Sequence, residues 1–257
     1  MDIKQQYPKI SIITVNYNKG NFIEETIQSV ILQNYPNLEY IIIDGGSTDQ
    51  SVEIIQKYKT HLAYFVSEPD NGMTDALIKG FSKATGEILA WINSDDSYLP
   101  GTFHYVASLY QKKKFDFLYA DCILTDVNNK PILRSKSYYT TYKAQAWGII
   151  PIYQPSCFWS KHIFEKIKGL DPCFHVTMDG DLFYRILKNT RSVIRKNRPL
   201  ATFRIHPNQS GSWAPKGKYQ EERKILFDRE IISNNFFKVY SYFFKISSYF
   251  LRLLGIK

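Results

Sequence analysis

The chain is poor in cysteine, with three in 257 residues (Cys122, Cys157 and Cys173) and no close pair among them. That count excludes a disulfide framework and a paired-cysteine zinc site, and it points to a reducing compartment. The opening stretch, MDIKQQYPK, lacks the apolar core of a secretory leader. No uninterrupted apolar run reaches the ~20 residues that cross a bilayer as a helix. Two phosphate-binding signatures are also missing. The first strand–helix turn, VNYNKGNF, has no GxGxxG, and GxxxxGK[ST] occurs nowhere. A nucleotide bound here must therefore have its phosphates neutralised by a cation held on acids, not by a glycine cradle and a lysine. Internal repeats and low-complexity segments are absent as well.

The composition that remains is that of a folded protein, 44% hydrophobic and 22% charged, long enough for one large domain or a domain plus an appendage. The net charge of +9 is unevenly placed. Residues 1–180 hold 17 Lys/Arg against 19 Asp/Glu, whereas residues 181–257 hold 16 against 5. The basic excess lies wholly in the last part and suggests an anionic partner: substrate phosphates, a membrane surface or nucleic acid.

The first hundred residues alternate strand and helix. Apolar, β-branched runs at 10–15, 39–44, 61–66 and 87–93 read as strands. Ile23, Ile27, Val30 and Ile31 recur at helical spacing, as do Met73, Ala76, Leu77, Phe81 and Ala84. Between them, Ser47 or Thr48 is expected to cap a helix carrying Val52, Ile54 and Ile55. This alternation predicts an α/β fold with a mostly parallel sheet covered on both faces. Further on, 102–112, 161–167 and 182–187 read as helices. Residues 115–120, 156–159 and 193–205 read as strands, with a hairpin around Asn128-Asn129.

Ligands of open parallel sheets bind outside the carboxyl ends of the strands. Three strand ends are polar here: Thr14, Asn16 and Asn18; Asp44, Gly45 and Gly46; and Asn93, Asp95 and Asp96. A buried strand that ends in adjacent carboxylates meets like-charge repulsion and a desolvation penalty. A hard divalent cation with oxygen ligands relieves both. The alternative is that one of the Asp or Ser residues here caps the helix that starts near Pro100.

The segments SIITVNYNKGNFIEETIQSVILQ, EYIIIDGGSTDQSVEII and SEPDNGMTDALIKGFSKATGEILAWINSDD resemble the family 2 glycosyltransferases over residues 9–210. EPDNGMTDA is closest to the branch that builds bacterial capsule, O-antigen and exopolysaccharide. The resemblance implies the GT-A nucleotide-diphospho-sugar transferase fold, with a Rossmann-like central sheet flanked by helices. It further implies an inverting, metal-dependent transfer using Mg2+ or Mn2+, from a nucleoside diphosphate sugar (UDP by preference) to a lipid-linked or glycan acceptor. It places Thr14 and Asn16 at the nucleobase pocket and Asp44 on the uracil or ribose. Gly45 stands where a second acid is usual, Asp49 bonds the following turn, and Asp75 lies near the diphosphate and donor sugar. Asn93-Ser94-Asp95 occupies the DxD position, which leaves Asp95 as metal ligand and Asp96 to orient the donor or support Asp95. In VTMDGDLFYRI the catalytic base falls on Asp179, with Asp181 as runner-up; without the resemblance, both acids would read as helix-capping residues. His206 is implied as a further metal ligand and Arg204 as a diphosphate contact, with Gln154 and Trp159 facing the acceptor.

Residues 236–254, FFKVYSYFFKISSYFLRLL, carry Lys238, Ser241, Lys245, Ser248 and Arg252 as a narrow polar stripe at helical spacing. Such a segment suits an anionic membrane surface, on which it would lie in the interface. The competing role for it is packing on the enzyme or on a second subunit. The division expected is a catalytic domain over 1–215 and an amphipathic, membrane-associating extension over 216–257, on the cytoplasmic face of the cell membrane. A basic nucleic-acid-binding protein is the competing class, but strand-end acids crowd the cleft and no recognition motif is visible. A non-catalytic nucleotide-sugar-binding module and a nucleotidyltransferase also fit parts of the pattern.

Overall fold

The computed structural model describes residues 7–207, 209 and 217–229. Its first half contains β1 (Ile10–Asn16), α1 (Ile23–Ile31), β2 (Leu38–Asp44), α2 (Ser51–Lys57), β3 (Tyr64–Ser67), α3 (Met73–Lys83), β4 (Ile88–Asn93) and β5 (Ser97–Tyr98). Next come α4 (Thr102–Lys112), β6 (Phe117–Thr125), β7 (Pro131–Ser135), α5 (Tyr142–Trp147), β8 (Cys157–Ser160) and α6 (Lys161–Lys166). The described chain finishes with α7 (Met178–Asn189), β9 (Val193–Arg204) and α8 (Lys218–Asp228).

One sheet runs β3-β2-β1-β4-β8-β6-β9-β5, with β7 paired to β6. The first four strands are parallel, and their side chains alternate between two cores. Ile13, Val15, Ile41, Ile43, Leu89 and Trp91 pack on one face with α3, α6 and α7. Ile10, Ile12, Tyr40, Ile42, Ile88 and Ile92 pack on the other with α1, α2 and α4. Burial on both faces explains why these strands read as continuous apolar runs.

Register sets the functional edge. Asn16 sits beside Asp44 and Val15 beside Asn93, so the polar ends of β1, β2 and β4 share one rim. The strand order reverses at β1, which opens a crevice there. Just past β4 the chain forms β5, which pairs antiparallel with β9 through Ser97–Thr202 and Tyr98–Ala201. That short pairing brings residues 93–98 alongside 201–206.

Several local expectations shift. Residues 59–61 form a 3-10 turn, so β3 starts at Tyr64. Neither Ser47 nor Thr48 caps α2, whose N-cap is Gln50. The helix after Pro100 is α4, and its N-cap is Gly101 at φ +75°, so Asp95 and Asp96 are not its caps. Helix α5, capped by Thr141, has too few apolar repeats to be read from sequence. Helix α7 begins at Met178, four residues before its apolar run.

The stretch expected as an extension from residue 216 begins with α8, which lies against the domain. Leu226 and Glu222 of α8 are wholly buried. The aromatic segment 236–254 lies outside the described residues. Among the described residues, no helix is long and apolar enough to cross a membrane.

Candidate active site

Asp95 is buried at the end of β4, with Oδ2 3.0 Å from His206 Nε2 and 3.2 Å from Lys19 Nζ. Lys19 comes from the β1–α1 turn, and the His206 ring lies 4.7 Å from that of Phe22. Asp96 is buried too. Its Oδ1 accepts from Arg204 N at 2.9 Å, while Oδ2 has no partner among the described residues. Burial, and then the Asp95 charge, raises the Asp96 pKa well above the usual carboxylate range. Asn93 Oδ1 and Asn16 Oδ1 are also buried and unpartnered among the described residues.

Arg204 departs from expectation. Its guanidinium donates to Asp95 O (2.8 Å), Val127 O (2.8 Å) and Glu25 Oε2 (2.6 Å), and it stacks over Phe22. These bonds hold the 95–96 loop in place and commit the guanidinium to protein partners. Lys19 carries no motif of its own in the sequence, although it stands just beyond the polar end of β1.

Asp44 is saturated, by contrast. Oδ1 accepts from Asn16 Nδ2 (2.7 Å) and Ser47 Oγ (2.5 Å), and Oδ2 from Ser47 N (2.9 Å) and Ser67 Oγ (2.6 Å). Asp49 bonds the turns as expected, accepting from Gly20 N at 2.8 Å and Ser51 N at 2.9 Å. Thr14 is wholly buried, its hydroxyl 3.0 Å from Tyr40 Oη, so its side chain belongs to the core and lines no nucleobase pocket.

A β-carbon on Gly45 would stand 2.6 Å from Asp70 Oδ2. Glycine there makes room for the Asp70 carboxylate, which reaches this rim from the loop after β3 in place of a second acid on β2. Burial, followed by the Asp75 charge, raises the Asp70 pKa. Asp75 itself accepts from Asn71 N at 3.0 Å and so closes the turn that opens α3. The signal for Asp70 is present in EPDNG and in the glycine at 45, but sequence does not reveal that the two meet.

The acids of α7 separate cleanly. Asp181 is fully buried, with Oδ2 2.6 Å from Arg185 Nη2 and Oδ1 2.6 Å from Arg229 Nη1. Both of its oxygens are committed, which argues against Asp181 as the base. Asp179 is half-buried; its Oδ1 accepts from Gly180 N at 2.7 Å. Desolvation raises its pKa, the direction a general base requires. Burial, and then the Asp179 charge, pushes the Cys157 thiol at the start of β8 up. Strand β8 runs antiparallel to β4, so its start lies toward the rim where β4 ends.

Trp159 is another correction. It is fully buried among Phe81, Trp91 and Phe183 and cannot face an acceptor. Gln154 is also buried; it donates to Trp91 O at 2.7 Å, and its Oε1 is unpartnered among the described residues.

No group of three or more His, Cys, Asp or Glu side chains at metal-binding spacing occurs among the described residues. Asp95 and His206 would supply two ligands, beside the unpartnered oxygens of Asn93 and Asp96. Mg2+ typically keeps few protein ligands and completes its shell with substrate phosphates and water. The residues therefore fit a cation that arrives with a diphosphate, rather than one held in a closed protein cage.

The profile described as Glycosyl transferase family 2 matches residues 11–168. The chain belongs to this glycosyltransferase family. A glycosyltransferase of Rickettsia typhi is 27% identical over 216 residues, covering 80% of this chain and 67% of that protein. A Bacillus subtilis protein named for a glycosyltransferase role in teichuronic acid biosynthesis is 36% identical over 96 residues, covering 35% of this chain and 37% of that protein. S. aureus TarS 1-349, solved with UDP-GlcNAc, superposes with a TM-score of 0.68 at 18% identity, covering 80% of this chain and 61% of that one. A mannosyltransferase from Pyrobaculum calidifontis, solved with GDP-Man and Mn2+, gives 0.67 at 19% identity, covering 90% and 67%. The family 2 glycosyltransferase thus has a GT-A fold, with helices on a curled mixed sheet.

Proposed function

We propose that this glycosyltransferase moves a sugar, with inversion, from a nucleoside diphosphate sugar to a glycan or lipid-linked acceptor of a bacterial surface polysaccharide. The observation that carries the reading is the Asp95–His206 pair set beside unpartnered buried oxygens at the end of β4. The teichuronic acid relative supports the polymer class. UDP-GlcNAc on one structural neighbour and GDP-Man on another support the donor class and leave UDP as the preferred base.

Asp95 and His206 would hold Mg2+ or Mn2+, which supplies positive charge to the departing diphosphate. Lys19, already against Asp95, takes the diphosphate contact expected of Arg204. Asp44, locked by four hydrogen bonds, shapes the ribose or base side of the pocket and fixes Asn16, whose unpartnered Oδ1 would accept from the ribose or base. Asp70 and Asp75 bound the donor on the β3 side. Asp179 takes the proton of the acceptor hydroxyl as that oxygen attacks the anomeric carbon from the face opposite the leaving group. Asp96 supports Asp95 through the shared loop. Gln154 remains a candidate on the acceptor side through its unpartnered Oε1. The 236–254 segment would bring the enzyme to the inner face of an anionic membrane, where a lipid-linked acceptor resides.

The test is a thermal-shift panel of nucleotide sugars with and without Mn2+ on the wild-type chain and on Asp95→Ala. The expected result is a Mn2+-dependent rise for at least one donor in the wild type and none in the variant. An equal rise in the variant overturns the metal assignment.

A further inference from the structure

We propose that Glu222 of α8 is a positioning residue for the transfer step, holding from outside the turn that aims Asp179. This rests on the reading of Asp179 as the base.

Glu222 is wholly buried. Its Oε1 accepts from His175 N at 2.9 Å, and its Oε2 from Val176 N (3.0 Å), Thr177 N (2.8 Å) and Thr177 Oγ1 (3.0 Å). Three consecutive backbone N–H groups at the mouth of α7 therefore converge on one carboxylate. One of them, the Thr177 N–H, is among the donors a helix start leaves unpaired, and the other two belong to the turn that leads into it. Here Thr177, the N-cap of α7, makes no cap bond of its own and gives its hydroxyl to Glu222. The turn into the base-bearing helix, including its N-cap residue, is thus held by a different helix, 45 residues away in sequence. Burying a carboxylate is unfavourable, but these four donors and the positive end of α7 offset it.

The same helix also grips the far side of the base. Arg229, one residue past α8, binds Asp181 Oδ1 at 2.6 Å and Asp171 Oδ2 at 3.0 Å. Arg223 donates to Ala146 O at 2.9 Å and to Gln145 O at 3.1 Å, which ties α8 to α5. Asp179 therefore stands between two fixed points, residues 175–177 and residue 181, both held by α8. Its own carboxylate bonds locally, to Gly180 N. This arrangement fixes the backbone of the base without clamping its carboxylate in an ion pair of the kind that holds Asp181. Misplacing a reacting group by about 1 Å costs on the order of 10²-fold in rate.

The experiment compares Glu222→Ala, Glu222→Gln and Asp179→Asn in the full chain. It uses the nucleotide sugar that most stabilises the wild type with Mn2+. Three readouts apply: donor-dependent thermal shift, kcat and donor KM from nucleotide release, and amide hydrogen exchange. Glu222→Ala is expected to lower kcat by roughly 10- to 100-fold at unchanged donor KM and thermal shift. Exchange should quicken at 175–181 and stay unchanged in β1 and β4. Gln keeps an acceptor for Val176 and Thr177 but sets an NH2 against His175 N–H, so it should fall between Glu and Ala. If Glu222→Ala does not fold, an intermediate kcat for Glu222→Gln at wild-type donor KM carries the test. Wild-type kcat in Glu222→Gln and Glu222→Ala, or a fall in kcat and donor binding together in proportion to folded protein, overturns the positioning role. Wild-type activity in Asp179→Asn, or no donor-dependent shift in the wild type, overturns instead the function on which it rests.

Discussion

The two buried acids at either end of the crevice are built to opposite rules. At the end of β2, Asp44 is buried and every carboxylate lone pair in reach is used, by Asn16, Ser47 and Ser67. At the end of β4, Asp96 is as deeply set, yet it and Asn93 each leave a buried oxygen without a partner among the described residues. Buried polar atoms are rarely left so, because the desolvation loss is about 1–3 kcal/mol each. A saturated acid shapes a pocket in advance, whereas an unsaturated group waits for a ligand. The same contrast recurs within one turn of α7, where Asp181 is clamped by two arginines and Asp179 is not.

Removing Asp95 tests this contrast hardest. Asp95→Ala should abolish Mn2+-dependent stabilisation by donor and transfer with it. A donor at 100 times its Kd stabilises by about 2.7 kcal/mol, and all of that should vanish from the melting curve. Asp179→Asn comes next: transfer should fall by about 10²- to 10⁴-fold while donor-dependent stabilisation stays intact. The pH profile of the wild type follows from the same residue. Burial raises the Asp179 pKa, and the base works deprotonated. Activity should therefore be lost on acidification at a pH above the ordinary aspartate value of about 3.9. A limb at or below that value would show Asp179 to be solvated.

Asp44→Ala tests the saturated end. It leaves Asn16, Ser47 and Ser67 without their acceptor, so chemical denaturation should show a loss of about 3 kcal/mol, with weaker donor binding. If stability were unchanged, the hydrogen-bond cluster would be incidental. The smallest effect on chemistry belongs to Asp181→Asn. Stability should drop by about 2 kcal/mol as Arg185 and Arg229 lose a charged partner, with turnover per folded molecule near wild type. Loss of turnover equal to that of Asp179→Asn would return Asp181 to contention as the base.

Much of this is legible in the chain. The alternating apolar runs place β1, β2 and β4 nearly to the residue, because strands buried on both faces need unbroken apolar sequence. Their polar ends then mark the rim. Thr14, Trp159 and Arg204 mislead for a common reason. They are residue types that suit ligands, but burial and neighbours assign them elsewhere. Asp70, Lys19 and Glu222 escape a sequence reading for the converse reason. Each acts through a partner distant in sequence, and no local pattern reports such a meeting.

The sequence alone determined the α/β alternation, the sheet edge on which chemistry is placed and the candidacy of Asp95, His206 and Asp179, since periodicity, strand-end polarity and motif are local properties. Tertiary structure alone decided which acid of α7 is unclamped, which cation meets Asp95 and which helix holds the turn into α7. Those outcomes depend on desolvation and on contacts between residues 45 or more positions apart, set only when β1 pairs with β4 and α8 docks on α7.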